Sequence, residues 1–276
     1  MNISEKTKIP LEILVATTNR TTLDFLYNMF KNNVLENYHI LIVNQTKEEK
    51  LLHAETPNIR VINSVETGLS KSRNLALKNA IGDICLLADD DVVYLEHFEK
   101  TILERYNKLS DADILTFKTL TSEKKPYSNY PNQITSLNRF YRKVLSIEIS
   151  FKRESLINNN VAFNELFGLG SVFQDGENRL FFEDVFKKKQ IKAYFSPDYI
   201  VMHEPSSSSD DVASDRFIFA RSALNYKLHG TFVWFYVFRL IASLVRKGLI
   251  NLNEISSKIK MANQGIKTYK ELKHGK

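Results

Sequence analysis

The sequence predicts an α/β fold in which a mostly parallel sheet is flanked by helices and followed by a helical C-terminal extension. Three observations lead to this prediction. Short apolar runs alternate with helical stretches over the first 90 residues, which is typical of parallel strands joined by helices. Several of these runs end in polar residues, as strands do at the ligand-binding edge of such a sheet. From residue 212 onward the chain reads as helices.

Each element is predicted from a local pattern. We expect strands at the apolar runs LEILVATTN, HILIVNQT, IRVINS and DICLLA, and then at DILTFKTL, IKAYFSP and YIVMHEP. Helices are expected at residues 22–30, where apolar residues recur at helical spacing, and at SKSRNLALKNA. Residues 111–166 are less regular and contain the loop KKPYSNYPN. A helix over FFEDVFKKK would place Glu183 and Asp184 on an exposed face.

Composition limits the class of protein. The 276 residues suffice for one large domain or two small ones. A single cysteine, Cys85, excludes an internal disulfide and fits a reducing compartment. The N-terminus has no apolar signal region, and the apolar stretch from Phe232 to Arg239 is shorter than the ~20 residues that span a bilayer. We therefore expect a cytoplasmic protein. The net charge of +6 suits an anionic substrate or membrane surface, whereas scattered basic residues disfavour nucleic acid.

Three consecutive aspartates, Asp89, Asp90 and Asp91, follow the predicted strand DICLLA. Adjacent like charges resist burial, so the cluster requires either solvent or a counter-charge. A divalent cation bound by carboxylate oxygens would supply that charge and would also suit a diphosphate ligand. The alternative is a solvated turn whose carboxylates cap a following helix. The aspartates by themselves leave both interpretations open.

An ordered set of motifs resembles the family 2 glycosyltransferases of the GT-A fold. The motifs are VATTNR, IVNQT, ETGLSKSRNLALKNAIGDICLLADDDVVY, FGLGSVFQDGEN and YIVMHEP. The similarity is greatest to bacterial enzymes that build capsular, exopolysaccharide or lipopolysaccharide glycans. It implies a GT-A catalytic domain at residues 1–205, with a nucleotide-binding half up to residue 110 and an acceptor half after it, and a helical region at residues 206–276.

The resemblance implies a binding site for a nucleotide sugar, with a UDP-sugar as the first expectation. The aspartates look like the D-x-D motif, in which the first carboxylate lies near the donor ribose and the last holds Mn²⁺ or Mg²⁺ on the diphosphate. Asn44 stands where relatives often have aspartate, and its amide can still pair with uracil. The implied donor-binding residues are Thr17, Asn19, Arg20, Asn44, Arg73, Asn74, Asp89 and Asp90. The implied metal ligands are Asp91, His203 and Asp89.

The glycines of FGLGSVFQDGEN indicate either backbone that approaches a ligand or an ordinary loop. The resemblance places the acceptor and the catalytic base here. An inverting transfer needs a carboxylate that takes the proton from the acceptor hydroxyl. Many relatives carry a carboxylate where this chain has Asn178, so we expect Glu177 to be the base, with Asp175 as the second choice. The implied acceptor side comprises Gly168, Gly170, Gly176 and Asn178.

The C-terminal region reads as two apolar-rich helices, DRFIFARSALNYKLHG and TFVWFYVFRLIASLVRKGL, followed by a basic tail. They can pack internally, form a homo-oligomer or lie on an anionic membrane. Membrane contact is suggested by aromatic residues beside basic ones: Trp234, Phe235, Phe238, Arg239, Arg246 and Lys247. The serine-rich connection at residues 205–211 is expected to be mobile and to close over the donor.

Three functions follow as hypotheses. The first is a metal-dependent inverting glycosyltransferase that acts on a glycan or lipid-linked acceptor in surface polysaccharide synthesis, at the inner face of the cell membrane. The second is a nucleotidyl- or phosphotransferase, which would need a glycine-rich phosphate loop or a G-x-x-x-x-G-K motif that the sequence lacks. The third is a non-catalytic nucleotide- or glycan-binding subunit that partners an active transferase, which Asn178 keeps open.

Overall fold

The structure is a computed structural model that describes residues 9–204 and 212–274. The connection at residues 205–211, with its expected closing motion, lies outside the described residues. The described chain divides into two compact units. The first comprises residues 9–67, 71–163 and 178–204, and the second comprises residues 68–70, 164–177 and 212–274. The domain boundaries expected at residues 110 and 205 stay predictions.

The first unit is built on a single sheet. Its strands within the described residues are β1 Leu11–Thr18, β2 His39–Gln45, β3 Ile59–Ser64, β4 Ile84–Asp89, β5 Val93–Tyr94, β6 Ile114–Leu120, β7 Thr135–Ser136, β8 Ile149–Lys152 and β9 Ala193–Met202. The order is β3-β2-β1-β4-β8-β6-β9-β5, and β7 pairs with β9. Because β8 is antiparallel to both β4 and β6, six strands run in one direction: β1, β2, β3, β4, β6 and β9.

Helices connect these strands and make up the C-terminal region. In the described residues they are α1 Asp24–Met29, α2 Leu69–Asn79, α3 Phe98–Lys108, α4 Arg153–Asn158, α5 Glu177–Lys187, α6 Asp215–His229, α7 Val233–Arg246 and α8 Ile255–His274. The predicted α/β fold with a mostly parallel sheet and C-terminal helices is confirmed.

The register of the parallel strands brings their polar ends together. Thr17 of β1 pairs with Asn44 of β2, and Asn44 pairs in turn with Asn63 of β3. On the other side of β1, Ala16 pairs with Asp89 of β4. The polar ends seen in the sequence therefore meet at one edge of the sheet, which is where ligands bind in this class of fold.

The buried side chains of the central strand β1 alternate between two apolar clusters. Leu11, Ile13 and Val15 of β1 enter one apolar cluster, whereas Leu14 enters another. Successive side chains of a strand point to opposite faces, so β1 is covered on both sides. Each fully buried Leu, Ile or Val contributes about 1.5–3 kcal/mol. A one-residue slip of β1 would exchange the two sets of side chains and is strongly disfavoured.

A single strand, β9, replaces the two that were expected at IKAYFSP and YIVMHEP. Its pairing with β6 is irregular near the middle, where the partners shift between Thr116–Phe195 and Lys118–Tyr199. Pro197 lies in this interval. Because proline has no backbone N–H to donate to a ladder, it interrupts the pairing without ending the strand. This explains why the sequence reads as two strands.

The second unit has its own core. In it α6, α7 and α8 share an apolar cluster of buried side chains: Ile218, Val233, Val237, Ile241, Leu244, Ile250, Ala262 and Ile266. The loop at residues 164–177 packs its aromatic rings within the same unit. Phe167 stacks on Phe173 at a centroid distance of 4.9 Å, and Tyr269 of α8 contacts both rings.

Candidate active site

The first aspartate of the cluster, Asp89, ends β4 and is held by two partners. Arg73 of α2 donates to its Oδ1 at 3.3 Å, and the Ser146 hydroxyl donates to its Oδ2 at 3.3 Å. The Arg73 side chain is only 3% exposed. A second nitrogen of Arg73 donates to Oδ1 of Asn178 at 3.3 Å. The guanidinium thus joins the end of β4 to the first turn of α5.

The second aspartate, Asp90, fastens the loop after β1. The Thr17 hydroxyl donates to Oδ2 of Asp90 at 2.5 Å, and Nε of Arg20 donates to the same oxygen at 2.7 Å. Asn19, between them in the chain, has a positive φ of 54°. Asparagine tolerates this left-handed conformation better than most residues. The loop expected to line the donor site is therefore tied directly to the aspartate cluster.

The third aspartate, Asp91, faces His203. Nε2 of His203 lies 3.4 Å from Oδ1 of Asp91. The hydrogen bond to Asp91 is the main cause that raises the pKa of His203, and the same interaction lowers the pKa of Asp91. The histidine follows β9, and its backbone N–H donates to the Leu120 carbonyl at 2.9 Å. Sequence positions 112 residues apart are thus brought together, as the resemblance implied.

Asp91 and His203 form a donor set that fits a divalent cation. Among the described residues 9–204 and 212–274, no group of three or more His, Cys, Asp or Glu side chains could hold a metal. The Asp91 carboxylate suits Mn²⁺ or Mg²⁺, ions that often take few protein ligands and add water and substrate phosphates, and a neutral imidazole such as His203 is a common metal ligand. Asp89, the third expected ligand, is instead bound by Arg73 and Ser146.

Two asparagines of the predicted donor site are engaged with the backbone. Asn44 is fully buried; its Oδ1 accepts from the Arg20 N–H at 3.1 Å, and its Nδ2 donates to the Arg20 carbonyl at 2.9 Å. Asn74 makes the same kind of pair with Phe163, at 2.8 and 3.0 Å. Both side chains hold loops in place. Their direct contact with a nucleotide stays a prediction.

In the second unit, the glycine-rich loop has the backbone that its sequence suggested. Gly168, Gly170 and Gly176 have φ values of 107°, 74° and 90°, which L side chains rarely adopt. A Cβ on Gly168 would also lie 3.4 Å from Glu177 and 3.2 Å from the Ser70 hydroxyl, and one on Gly176 would lie 2.7 Å from Leu224. The positive φ therefore favours glycine at all three positions, and at Gly176 a Cβ would also displace the Leu224 side chain.

The two candidate bases differ in their surroundings. Asp175 is largely buried and forms an ion pair with Arg221 of α6 at 2.8 Å. Burial raises the pKa of Asp175 and the Arg221 charge opposes this rise. Glu177 is half-buried at the first position of α5. Further along this helix, the expectation that Glu183 lies on an exposed face is wrong: its side chain is 26% exposed and accepts a hydrogen bond from the Tyr141 hydroxyl at 2.6 Å.

Ser146 and Glu148 are residues of the site region that sequence reasoning missed. Glu148 is fully buried and accepts hydrogen bonds from the hydroxyls of Tyr130 at 2.5 Å and Thr119 at 2.9 Å. Its other oxygen accepts from the Leu145 N–H at 2.9 Å, which fixes the short turn that carries Ser146 to Asp89. Burial raises the pKa of Glu148 to about 7. A lone acidic residue inside the apolar run VLSIEISF was the available signal, since a buried charge needs partners.

The fold has counterparts among solved structures. The most informative is S. aureus TarS, residues 1–349 in complex with UDP-GlcNAc, with a TM-score of 0.58 and 16% identity over 94% of this chain and 82% of that chain. The same protein in complex with UDP gives a TM-score of 0.54 and 14% identity, with 97% and 92% covered. At these identities the likeness establishes the fold alone, which is the GT-A fold of glycosyltransferases.

The sequence comparisons establish the family. The profile described as Glycosyl transferase family 2 matches residues 12–188, which include both the aspartate cluster and Glu177. The chain belongs to the family 2 glycosyltransferases. An uncharacterized glycosyltransferase of Bacillus subtilis strain 168, YwdF, is 34% identical over 128 residues, or 43% of this chain and 47% of that protein. The chain thus spans about half the length of this curated relative. The expectation of a glycosyltransferase is confirmed at the level of the family.

Proposed function

We propose that the chain transfers a sugar, with inversion, from a UDP-sugar to a glycan or lipid-linked acceptor, and that a divalent metal ion assists. The observation that carries this proposal is the pairing of Asp91 with His203 at the edge of the sheet where strand ends converge. A carboxylate and an imidazole at such an edge suit a metal–diphosphate group.

A uridine nucleotide is the best-supported donor. The structures of TarS with UDP-GlcNAc and with UDP show that a protein of this fold binds this nucleotide. In the present chain, Arg20 lies on the loop after β1 with its side chain 43% exposed, so its guanidinium is accessible while Asp90 holds it. Arginine geometry suits phosphate oxygens. The loop of Thr17, Asn19 and Arg20 would therefore form one wall of the donor site.

The metal, when bound by Asp91 and His203, would supply positive charge for the diphosphate leaving group. The residues of the chain prepare for this in two ways. A proton and a metal ion compete for the same His203 nitrogen, and the interaction with Asp91 raises the pKa of His203. Arg73 holds Asp89 by a charge-assisted hydrogen bond, so that Asp89 stays in position for the donor ribose.

We assign the catalytic base to Glu177, with Asp175 as the second candidate. A base must lie within hydrogen-bond reach of the acceptor hydroxyl whose proton it takes. The Asp175 carboxylate is already engaged in an ion pair with Arg221, so it is less available to an acceptor hydroxyl, although burial raises its pKa. Glu177 packs its side-chain carbons against Gly168 in the loop expected to bind the acceptor. The acceptor side would include this loop.

One observation favours a second candidate function. Asn178 occupies a position where the resembled enzymes often have a carboxylate, and its Oδ1 is bound by Arg73. An amide cannot act as a base, so a non-catalytic nucleotide-binding subunit that partners an active transferase is the alternative. Under either function, we place the protein in bacterial surface polysaccharide synthesis and in the cytoplasm.

The test is a thermal-shift panel of UDP, GDP, CDP and TDP, each with and without Mn²⁺, on the wild type and on Asp91→Ala. A ligand at about 100 times its Kd adds about 2.7 kcal/mol of stability, so a Tm rise of several degrees is expected. We expect UDP to stabilise the wild type most, and the Mn²⁺-dependent part to vanish in Asp91→Ala. Removal of Mn²⁺ with a chelator should have the same effect.

Asp184→Ala is the matched control, because the Asp184 side chain is 38% exposed and forms an ion pair with Lys187 of the same helix at 2.8 Å. It should respond to UDP and Mn²⁺ as the wild type does. If no nucleotide stabilises the wild type with or without Mn²⁺, the transferase proposal fails. If UDP stabilises the protein equally with or without Mn²⁺ and in Asp91→Ala, the proposal of a donor site stands and the proposal of a metal fails.

A further inference from the structure

Helix α7 has apolar side chains on two faces, and only one of these faces packs into the core of the second unit. Val233, Val237, Ile241 and Leu244 are buried in the cluster shared with α6 and α8. On the other side, Phe235 and Phe238 are 64% and 55% exposed. Phe232, in the turn before the helix, is 75% exposed. Exposed aromatic residues that recur along one helix face are unusual on a soluble surface and indicate an interaction site.

Two further exposed apolar side chains follow α7 in the chain. Leu249 and Leu252, in the segment after α7, are 48% and 74% exposed. Trp234, at the edge of the face, is half-buried, and its ring lies 6.0 Å from that of Phe238. Tryptophan and phenylalanine are the residues that favour the boundary between headgroups and acyl chains. We name this set of apolar side chains, which lie near one another in the chain in and around α7, the aromatic ridge: Phe232, Trp234, Phe235, Phe238, Leu249 and Leu252.

Charge identifies what the aromatic ridge fits. Arg239, Arg246 and Lys247 are exposed beside it. Residues 212–274 contain eleven Lys and Arg against three Asp and Glu, a net charge of +8, although the whole chain is only +6. The remainder of the chain is therefore slightly acidic. A concentration of positive charge around an apolar face attracts a surface that is both anionic and apolar below its charges.

The structure assigns the aromatic ridge as a docking surface for an anionic lipid bilayer, on which α7 lies in the plane of the membrane. A second copy of the chain fits less well, because a symmetric contact would bring the same basic residues of both copies together. A folded acidic protein would need a groove shaped to accept a convex helix. A fluid lipid surface needs no such groove, because it adapts to the shape of the helix. This inference does not depend on the proposed sugar transfer.

Docking in the plane is favoured over spanning. By length and composition alone, the segment Asp215–Arg246 is long and apolar enough to cross a membrane. It is not one continuous helix: α6 ends at His229, and Gly230 has a φ of 57°. Helix α7 has 14 residues, so it is about 21 Å long, less than the ~30 Å hydrocarbon core. Most apolar residues of helix α6 are buried.

The test uses the only tryptophan of the chain, Trp234, as a reporter at the edge of the ridge. Intact protein is mixed with anionic vesicles of phosphatidylcholine containing about 30% phosphatidylglycerol, a charge density sufficient to attract polybasic segments. Neutral vesicles of phosphatidylcholine alone serve for comparison. We expect flotation with the anionic vesicles, a blue shift of Trp234 emission and quenching by brominated lipid. Binding to neutral vesicles should be at least tenfold weaker, and added salt should weaken anionic binding.

The variant Phe235→Ser/Phe238→Ser should lower partition into anionic vesicles at least tenfold. Its control, Tyr27→Ser/Val65→Ser, removes two side chains that are each 68% exposed elsewhere and should bind as the wild type does. Circular dichroism establishes that both variants are folded. If the wild type does not float with anionic vesicles, the proposal is overturned. Self-association in ultracentrifugation that the ridge variant abolishes, without flotation, would assign the surface to a second copy.

Discussion

At the residue scale, each of the three aspartates at the end of β4 meets a different basic side chain. Asp89 is bound by Arg73, Asp90 by Arg20 and Asp91 by His203. Successive side chains leave the strand end in different directions, so the cluster does not share one environment. The repulsion among the carboxylates is therefore offset by the protein itself. The cluster alone does not require a metal, and the dependence on Mn²⁺ must be measured through Asp91 and His203.

Glu148 provides a prediction that depends on pH. Its pKa is raised by burial to about 7, above the ordinary 4.5. The folded state therefore holds a proton that the unfolded state releases, so this residue costs stability as the pH rises from about 4.5 to 7, and the full cost applies above pH 7. Since one pKa unit corresponds to 1.36 kcal/mol, the loss is about 3 kcal/mol. Urea unfolding of the wild type at pH 5, 6, 7 and 8 should show this decline.

The control for that measurement is Glu148→Gln, which stays neutral and keeps the size of the side chain. Other groups also titrate in this range, and the difference between wild type and variant isolates Glu148. We expect the variant to be less stable than the wild type at pH 5, because an amide cannot reproduce every acceptor bond, and to lose this disadvantage by pH 8. Parallel pH profiles would show that Glu148 ionises as it does in the unfolded chain.

The residues that sequence reasoning could identify were those in an ordered motif. Asp91 and His203 are far apart in the chain, yet each stands at the end of a strand-like apolar run, and this is visible in the sequence. The roles of Asn44 and Asn74 were not visible, because both depend on which backbone each amide meets. Arg221 had no signal, since an arginine on a helix pairs with a loop aspartate only through tertiary packing.

At the element scale, the long strands of the parallel half were predictable because each is an unbroken apolar run buried on both faces. The short strands β5, β7 and β8 have two to four residues, too few for a period to be read. These short strands form because strands distant in sequence offer them unpaired edges, and the sequence does not show that proximity. The same reason explains the irregular reading of residues 111–166, where short 3₁₀ turns replace regular elements.

The packing of α8 on α6 predicts the sign of the stability change that an added side chain at Gly265 would cause. A Cβ on Gly265 would lie 2.2 Å from the carbonyl oxygen of Phe219, so the two helices would have to move apart. Gly265→Ala in a solvated helix would stabilise it by up to about 1 kcal/mol through helix propensity. Here the clash should reverse the sign and destabilise the protein by roughly 1–3 kcal/mol. The measurement is the urea midpoint.

Gln264→Ala is the matched control for this substitution. Gln264 is the neighbouring residue of α8 and is exposed, so its replacement should change the unfolding free energy by less than about 0.5 kcal/mol. Circular dichroism should show equal helix content in both variants before unfolding. A Gly265→Ala protein as stable as the wild type would mean that α6 and α8 do not approach as closely as the structure indicates.

At the scale of the whole molecule, charge is unevenly distributed, and this follows from the sequence once the units are known. The slightly acidic remainder of the chain includes the sheet and the aspartate cluster, whereas residues 212–274 carry the excess positive charge. The sequence alone showed the basic residues, but it could not show that aromatic side chains beside them are exposed. That distinction required the helix faces, because internal packing and membrane contact use the same kinds of residues.

The last prediction separates an enzyme from a binding subunit. Glu177 is assigned to the acceptor proton, and Asp91 with His203 to the donor, so the two functions should be lost separately.

Glu177→Gln should still be stabilised by UDP and Mn²⁺ but should lose at least a hundredfold in sugar transfer, since general base catalysis contributes about 10²–10⁴-fold. Asp175→Asn should lose less if Glu177 is the base, and Asp91→Ala should lose both the Mn²⁺-dependent stabilisation by UDP and the transfer. Radiolabelled UDP-sugar with membrane glycan extract measures the transfer, and donor hydrolysis by the protein, above the rate without protein, serves as a readout without acceptor. A wild type that binds UDP and neither transfers nor hydrolyses any donor would instead support the non-catalytic subunit, in which Asn178 replaces a carboxylate that the chemistry requires.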